Sequence, residues 1–198
     1  MTFDASIYQN LVEHIQEQLD TTRPLIIAID GMCGSGKTSL AEYLSSRFDA
    51  AIIHMDNFFL PFERKTAERL AEPGGNIDYE RFLELMVPAL QEKNPFSYIA
   101  YNCQTQSYDR TIEIPACELI IVEGSYSLHK EFPKYFDLSL FLCVSYEEQL
   151  KRLEYRCQDS YKFNRFKNEW IPMENYYHDA QKVLDRVDLV IDTTNIQA

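Results

Sequence analysis

Nowhere in the 198 residues does an apolar run approach the ~18 residues of a membrane-spanning helix, and the opening MTFDASIYQN has no basic segment followed by an apolar one. Both absences predict a chain that neither spans a membrane nor is secreted. The five cysteines, 33, 103, 117, 143 and 157, form no CxxC pair, and Cys117 and Cys143 border or lie in strand-like runs. That usage fits reduced thiols serving as small core residues, and so a cytoplasmic protein. Positive charge is scarce as well: 19 Lys and Arg stand against 31 Asp and Glu, a net charge of -12. Such a surface repels a phosphate backbone, so no nucleic-acid partner is expected, although a local basic pocket for a small phosphate remains open. There is no internal repeat, no low-complexity segment and no linker. With 45% hydrophobic residues the chain can fill one core, which predicts a single domain over 1–198.

Ile7, Leu11, Ile15 and Leu19 recur every fourth residue, so 4–20 reads as an amphipathic helix, ended by Arg23-Pro24. Five apolar runs of strand length follow: LIIAID (25–30), AAIIH (50–54), CELIIVE (117–123), DLSLFLCV (137–144) and LVID (189–192). They lack polar alternation and are separated by helix-length polar segments. That pattern predicts a mostly parallel five-stranded sheet covered on both faces, a three-layer α/β/α fold. The interval 57–116 is longer than one crossover helix needs. It holds the breaker EPGGN (72–76), a helix from Tyr79 to about Gln91, and two β-prone pieces that predict a projecting hairpin over 95–116. From 145 to 180 the chain reads as helical, with Lys, Arg and aromatics. FNRFKNEWIPMENYYHD (163–179) contains Trp170, Tyr176 and Tyr177, aromatics better suited to packing that segment onto the body than to covering a pocket. His129 and His178 have no ligand-spaced partners and are expected on the surface.

GMCGSGKT (31–38) matches G-x-x-x-x-G-K-[ST] in full and lies between a strand and a helix, the context that gives the pattern meaning. Gly31, Gly34 and Gly36 let the backbone curl so that successive N–H groups and the helix N-terminus meet phosphate oxygens. The expected nucleotide contacts are Gly31, Cys33, Gly34, Ser35, Gly36, Lys37, Thr38 and Ser39. Lys37 reaches the β- and γ-phosphates, and the Thr38 hydroxyl serves Mg²⁺. ATP and Mg²⁺ are the implied cofactors.

Two acids stand at strand ends, where ligands bind in sheets of this type. Glu123 of IIVEG occupies the place where such proteins hold Mg²⁺ with an acid, usually aspartate. Asp56 of HMDNFF has three readings: a turn residue, a direct metal ligand, or the base that orients an acceptor hydroxyl and takes its proton. Its place beyond a strand end, near the expected γ-phosphate, favours the base.

The order GMCGSGKT, MDNFF, GGNIDYERF, IIVEG and then an Arg-bearing helix resembles the uridine kinase and phosphoribulokinase-like family of P-loop kinases, which also includes bacterial pantothenate kinases. The resemblance covers about residues 24–192 and implies the P-loop fold with a helical lid. It implies Asp56 as catalytic base, Glu123 as metal acid, and Asp78 of NIDYERF as a contact to acceptor hydroxyls. Lid arginines that clamp the transferred phosphate fall on Arg152 and Arg156, four apart in QLKRLEYR; the alternative is a solvated face paired with Glu147, Glu148 or Glu154. Uridine kinases read the base with a hairpin tyrosine and histidine. Here the hairpin has Tyr98, Tyr101, Tyr108 and Arg110 but no histidine, so Tyr101 and Arg110 are the acceptor candidates, with cross-strand packing as the other role for the tyrosines.

The function implied is ATP-dependent phosphorylation of a hydroxyl on a small metabolite, a nucleoside first, with pantothenate or another vitamin or sugar acceptor as the alternative. A nucleotide-driven ATPase or switch is a third reading, but a GTPase would need N-K-x-D and no such tetrapeptide occurs. The expected partner is the small-molecule acceptor, with neither nucleic acid nor membrane; a homo-oligomer is allowed.

Overall fold

A computed structural model describes residues 8–196. The elements run α1 (Gln9–Leu19), β1 (Leu25–Gly31), α2 (Lys37–Ser45), β2 (Ala50–His54), α3 (Ala67–Leu70), α4 (Tyr79–Glu92), β3 (Phe96–Asn102), β4 (Ser107–Ile114), β5 (Leu119–Glu123), β6 (Leu138–Cys143), α5 (Tyr146–Cys157), α6 (Ser160–Arg165), α7 (Ile171–Ala180) and β7 (Leu189–Asp192). A π-helical turn, Phe166–Trp170, joins α6 to α7. All five expected strands form, and they make one sheet in the order β2-β5-β1-β6-β7 with every pairing parallel. The N-terminal helix begins at Gln9; Ile7 and the expected start at residue 4 lie outside the described residues.

Alternate residues of each strand explain why the apolar runs are continuous. Leu25, Ile27 and Ile29 of β1 face one layer with Leu11, Ile15 and Leu19 of α1 and Leu40 and Leu44 of α2. Ile26 and Ala28 face the other, with Phe82, Met86 and Leu90 of α4 and Tyr177 of α7. A side-chain period of two with a helix layer on each side favours apolar residues at nearly every position of the central strands. Side-chain caps fix where the helices begin: Asp78 accepts from the Arg81 N–H for α4, Ser145 from that of Glu148 for α5, and Asp159 from those of Tyr161 and Lys162 for α6.

The 57–116 interval does two things. Residues 58–60 pair antiparallel with 76–78, through Asp78 N–H to Phe58 O at 2.7 Å and Leu60 N–H to Asn76 O at 2.9 Å. This folds α3 and its flanking turns into a wall beside the end of β2. The β3-β4 hairpin is a separate two-stranded sheet with a register shift between Ala100 and Tyr101, and Tyr98 stacks on Phe58 to dock it. Among the described residues no helix is long and apolar enough to cross a membrane.

Both histidines expected on the surface are buried instead. His129 lies parallel to the Tyr79 ring and bonds Pro73 O and the Gln181 amide; burial drives its pKa down to about 4, so it is a neutral core residue. His178 packs on Phe141 and stands 3.8 Å from Asp30. A lone histidine carries no sequence signal of its burial, because an aromatic neighbour from another layer is what covers it.

Candidate active site

Gly31 ends β1 with φ 140°, and a Cβ placed there would meet Leu142 O at 2.2 Å, so only glycine lets the loop leave the sheet against β6. Gly36, φ 92°, has open space around it and is needed for its left-handed backbone alone; it turns the chain into α2. The α2 N-terminus therefore opens onto the loop's concavity, an anion site built from backbone N–H groups. Lys37 lies over this loop, its ammonium donating to Gly31 O at 2.7 Å and Met32 O at 2.9 Å. Thr38, the next residue, points its hydroxyl at Glu123, 3.2 and 3.3 Å from the two carboxylate oxygens.

Sheet register delivers Glu123. It pairs with Ile29 of β1 on one side and His54 of β2 on the other, so its side chain emerges between the P-loop strand and the strand that leads to Asp56. The His54 Nδ1 lies 2.5 Å from Glu123 Oε1, and this hydrogen bond, more than nearby charge, raises the imidazole pKa. Asp56 starts the turn after β2 and opens onto the cleft while protein atoms crowd its base. Its pKa is raised, first by desolvation and then by repulsion from Glu123, with Lys37 and His54 opposing. A Thr hydroxyl and two facing carboxylates that repel each other are a fit site for a hard divalent cation, which takes one or two protein oxygens and leaves the rest to phosphate and water. Thr38 and Glu123 would hold Mg²⁺ there, and Asp56 is left facing the space beyond.

These groups line one continuous cleft of about 1460 Å³. One wall carries the phosphate loop, Thr38 and Glu123. The other carries Phe59, Phe62, Lys65, Leu70 and the hairpin tip, Cys103 and Gln104, while Arg156, Lys162, Arg165 and Trp170 of the lid close the remaining side.

No family model matches the sequence. Curated relatives do: a uridine kinase of Clostridium botulinum is 29% identical over 114 residues, 52% of this chain and 53% of that protein. A uridine kinase of Saccharomyces cerevisiae is 28% identical over 144 residues, 63% of this chain and 28% of that protein. The matched segments thus span about half or less of these relatives' length. Among solved structures, a possible uridine kinase from Bacillus stearothermophilus superposes with a TM-score of 0.66 at 22% identity, covering 93% of this chain and 100% of that one.

The chain is similar in sequence to uridine kinases and shares its fold with a possible uridine kinase.

Set against the family's pattern, the residues divide. Lys37, Thr38, Asp56 and Glu123 come together on the cleft as expected. Asp78, Tyr101 and Arg110 are not among its lining residues. Asp78 is 1% exposed, with one oxygen capping α4 and the other 2.7 Å from Arg64. Tyr101 is buried edge-on against Tyr108, and Arg110 reaches Asn57 Oδ1 at 3.4 Å. All three stabilise the acceptor wall from behind.

The lid arginines also separate. Arg152 is committed to the P-loop and the C-terminal segment: Nη1 donates to Gly34 O and Thr193 Oγ1, Nη2 to Thr193 O and Ile196 O, and Nε to Glu148. A guanidinium whose donors are filled by carbonyls is a buttress, so Arg152 is corrected to a positioning role. Arg156 is exposed, lies 4.9 Å over the Phe166 ring and has no carboxylate partner among the described residues; it remains the clamp candidate.

Sequence reasoning missed Glu174. This nearly buried α7 carboxylate accepts from the Cys33 N–H at 2.7 Å and from Ser125 Oγ at 3.0 Å, placing a negative charge on the phosphate loop. With burial, it pushes the Cys33 thiol up to about 12, so that cysteine is inert. It also missed Asp30, fully buried, which accepts from the Gly31, Tyr126 and Leu128 N–H groups and from Tyr177 OH. Burial alone would raise its pKa, but His178 and these donors carry it below the usual range. The strand residue before a P-loop glycine was the one available signal for Asp30; Glu174, 141 residues from its partner, had none.

Proposed function

We propose that the protein is an ATP-dependent kinase that transfers the γ-phosphate to a hydroxyl of a small metabolite, with nucleosides the first class to test. The observation that carries this reading is Asp56, an acid just past the end of β2 that shares one cleft with a complete phosphate loop, Thr38 and Glu123. The names of the curated relatives, uridine kinases, support both the reaction and the acceptor class.

The chain's residues divide the work. The loop N–H groups and the α2 N-terminus bind the nucleotide phosphates, and Lys37 exchanges its two loop carbonyls for phosphate oxygens. Thr38 and Glu123 would hold Mg²⁺, which would supply charge neutralisation for the nucleotide phosphates. Asp56 orients the acceptor hydroxyl and receives its proton; desolvation and Glu123 make it a stronger base than a free aspartate, which suits that role. Arg156 and Lys162 swing with the lid toward the phosphoryl group in flight. Phosphoryl transfer needs little beyond such positioning and charge compensation.

The test is ADP release by purified protein with Mg-ATP, with and without added acceptors. Acceptor-stimulated release is expected, and Asp56→Asn should lower kcat about 10²- to 10⁴-fold while leaving ATP affinity within about threefold. Near-normal turnover in that variant would remove Asp56 as base. ADP release that no acceptor alters would identify an ATPase or nucleotide switch instead.

A further inference from the structure

The 61–80 wall contains three cations at close spacing, and two of them are consumed by the fold. Arg64 pairs with Asp78 at 2.7 Å and Glu80 at 3.4 Å. Arg69 pairs with Glu80, donates to Gly75 O and Ile77 O, and stacks 3.8 Å over the Tyr79 ring. Lys65, between them, differs. It is half-buried on the cleft, and among the described residues its ammonium makes no salt bridge and no hydrogen bond; it lies 6.0 Å from the Phe59 ring centroid and near Cys103.

The surroundings sharpen the contrast. Phe59, Phe62 (70% exposed) and Leu70 (37% exposed) form an apolar margin beside it, and the hairpin tip brings Cys103 and Gln104. Burial lowers the Lys65 pKa; the nearby Cys103 opposes this and the like charge of Arg165 adds to it. Arg165 is paired with Glu169 at 3.0 Å, which leaves the half-buried Lys65 ammonium as a cation on the cleft free to meet an anionic group. The nucleotide phosphates already have the loop, Lys37 and the lid. Lys65 lines the same cleft as Asp56, on the 61–80 segment rather than on the phosphate loop.

We propose that the acceptor is itself an anion, a hydroxyl compound whose carboxylate or phosphate group is held by Lys65 while an apolar or planar portion rests on Phe59 and Phe62. This rests on the kinase reading and narrows it: a neutral nucleoside satisfies Asp56 but leaves Lys65 unpaired. Lys65 is a specificity residue, holding the acceptor at the end away from the reacting hydroxyl.

The experiment uses matched acceptors with purified full-length protein and Mg-ATP: uridine against uridine 3′-monophosphate, which keeps a free 5′-hydroxyl, and the carboxylates D-glycerate and pantothenate. An anionic member is expected to exceed uridine at least tenfold in kcat/KM, and which arm responds separates phosphate from carboxylate. Lys65→Met should raise the KM of that acceptor about tenfold or more with kcat changed less than threefold and the KM for ATP unchanged; Lys65→Arg should restore it. Equal use of uridine by wild type and Lys65→Met, with no anion preferred, would overturn the proposal while leaving the kinase reading intact. So would a Lys65→Met defect that appears in the KM for ATP. If none of the four is phosphorylated, the kinase reading fails on this panel, and equilibrium binding of the same anions in the presence of a non-hydrolysable ATP analogue decides for Lys65. Binding lost in Lys65→Met supports the anion site; no binding, or binding equal in both proteins, overturns it.

Discussion

The two walls of the cleft are built in opposite ways. The nucleotide wall is mostly one contiguous stretch, 31–38, whose conformation follows from its glycines and whose donors are backbone N–H groups. The acceptor wall is assembled from the turn after β2, α3, the hairpin tip and the lid, and its recognition groups are side chains. A wall made of backbone N–H groups suits an anion whatever the neighbouring side chains are. A wall made of side chains on separate segments is free to change its ligand without disturbing the fold, because each segment is anchored from behind: Arg64 on Asp78, Tyr98 on Phe58 and on Asn57.

The lid gives the sharpest way to break this division. Arg156→Ala removes an exposed cation whose one described contact is the Phe166 ring, so under the kinase reading kcat should fall about 10²- to 10³-fold with stability within about 0.5 kcal/mol of wild type. Arg152→Ala should do the reverse. It strips the donors from Gly34 O, Thr193 O and Ile196 O, and a stability loss of about 3 kcal/mol in denaturant unfolding is expected. If Arg152→Ala instead lowers kcat at unchanged stability, the buttress and the clamp have been exchanged.

Glu174 tests whether the nucleotide wall is as self-sufficient as it looks. Gln at this position can still accept from the Cys33 N–H but removes a negative charge facing ATP, so Glu174→Gln should tighten the binding of a non-hydrolysable ATP analogue about threefold to tenfold, on the order of 1 kcal/mol. Weaker binding, read by calorimetry, would show that α7 shapes the loop through the charge itself.

The smallest expected effect is on stability at Asp56. Its folded-state pKa lies above the unfolded value, so the folded protein holds that proton more tightly and stability is lost as pH rises from the unfolded pKa through the raised one. Asp56→Asn should therefore melt slightly higher than wild type near neutral pH, with the advantage vanishing below about pH 3.9. Identical melting curves at all pH values would mean that solvent in the open cleft screens the acid.

Most of the sheet was legible before any coordinates. The five apolar runs became the five parallel strands; β1, β5 and β6 are covered on both faces, which a run without alternation reports, while the edge strand β7 stays largely exposed. The helix Tyr79–Glu92 was legible after the EPGGN breaker and the hairpin from two β-prone pieces. Partners were not. Asp78 has the signature of a contact to a sugar hydroxyl and of an N-cap alike, and Arg64, fourteen residues earlier, decides between them. Arg152 and Arg156 occupy one helical face and look equivalent in sequence, but Thr193 and Ile196 reach only the first.

The amino-acid sequence by itself determined the layers of the fold, the phosphate loop and the acids at two strand ends, because local periodicity and a contiguous motif carry that information. Only the tertiary structure decided which charges are spent and which are free. Glu174 meets Cys33 across 141 residues, Arg152 meets Thr193 across 41, and Lys65 meets no counter-charge among the described residues. Whether a side chain works for the fold or for a ligand depends on what stands within hydrogen-bonding reach of it, and that distance exists only once the chain has folded.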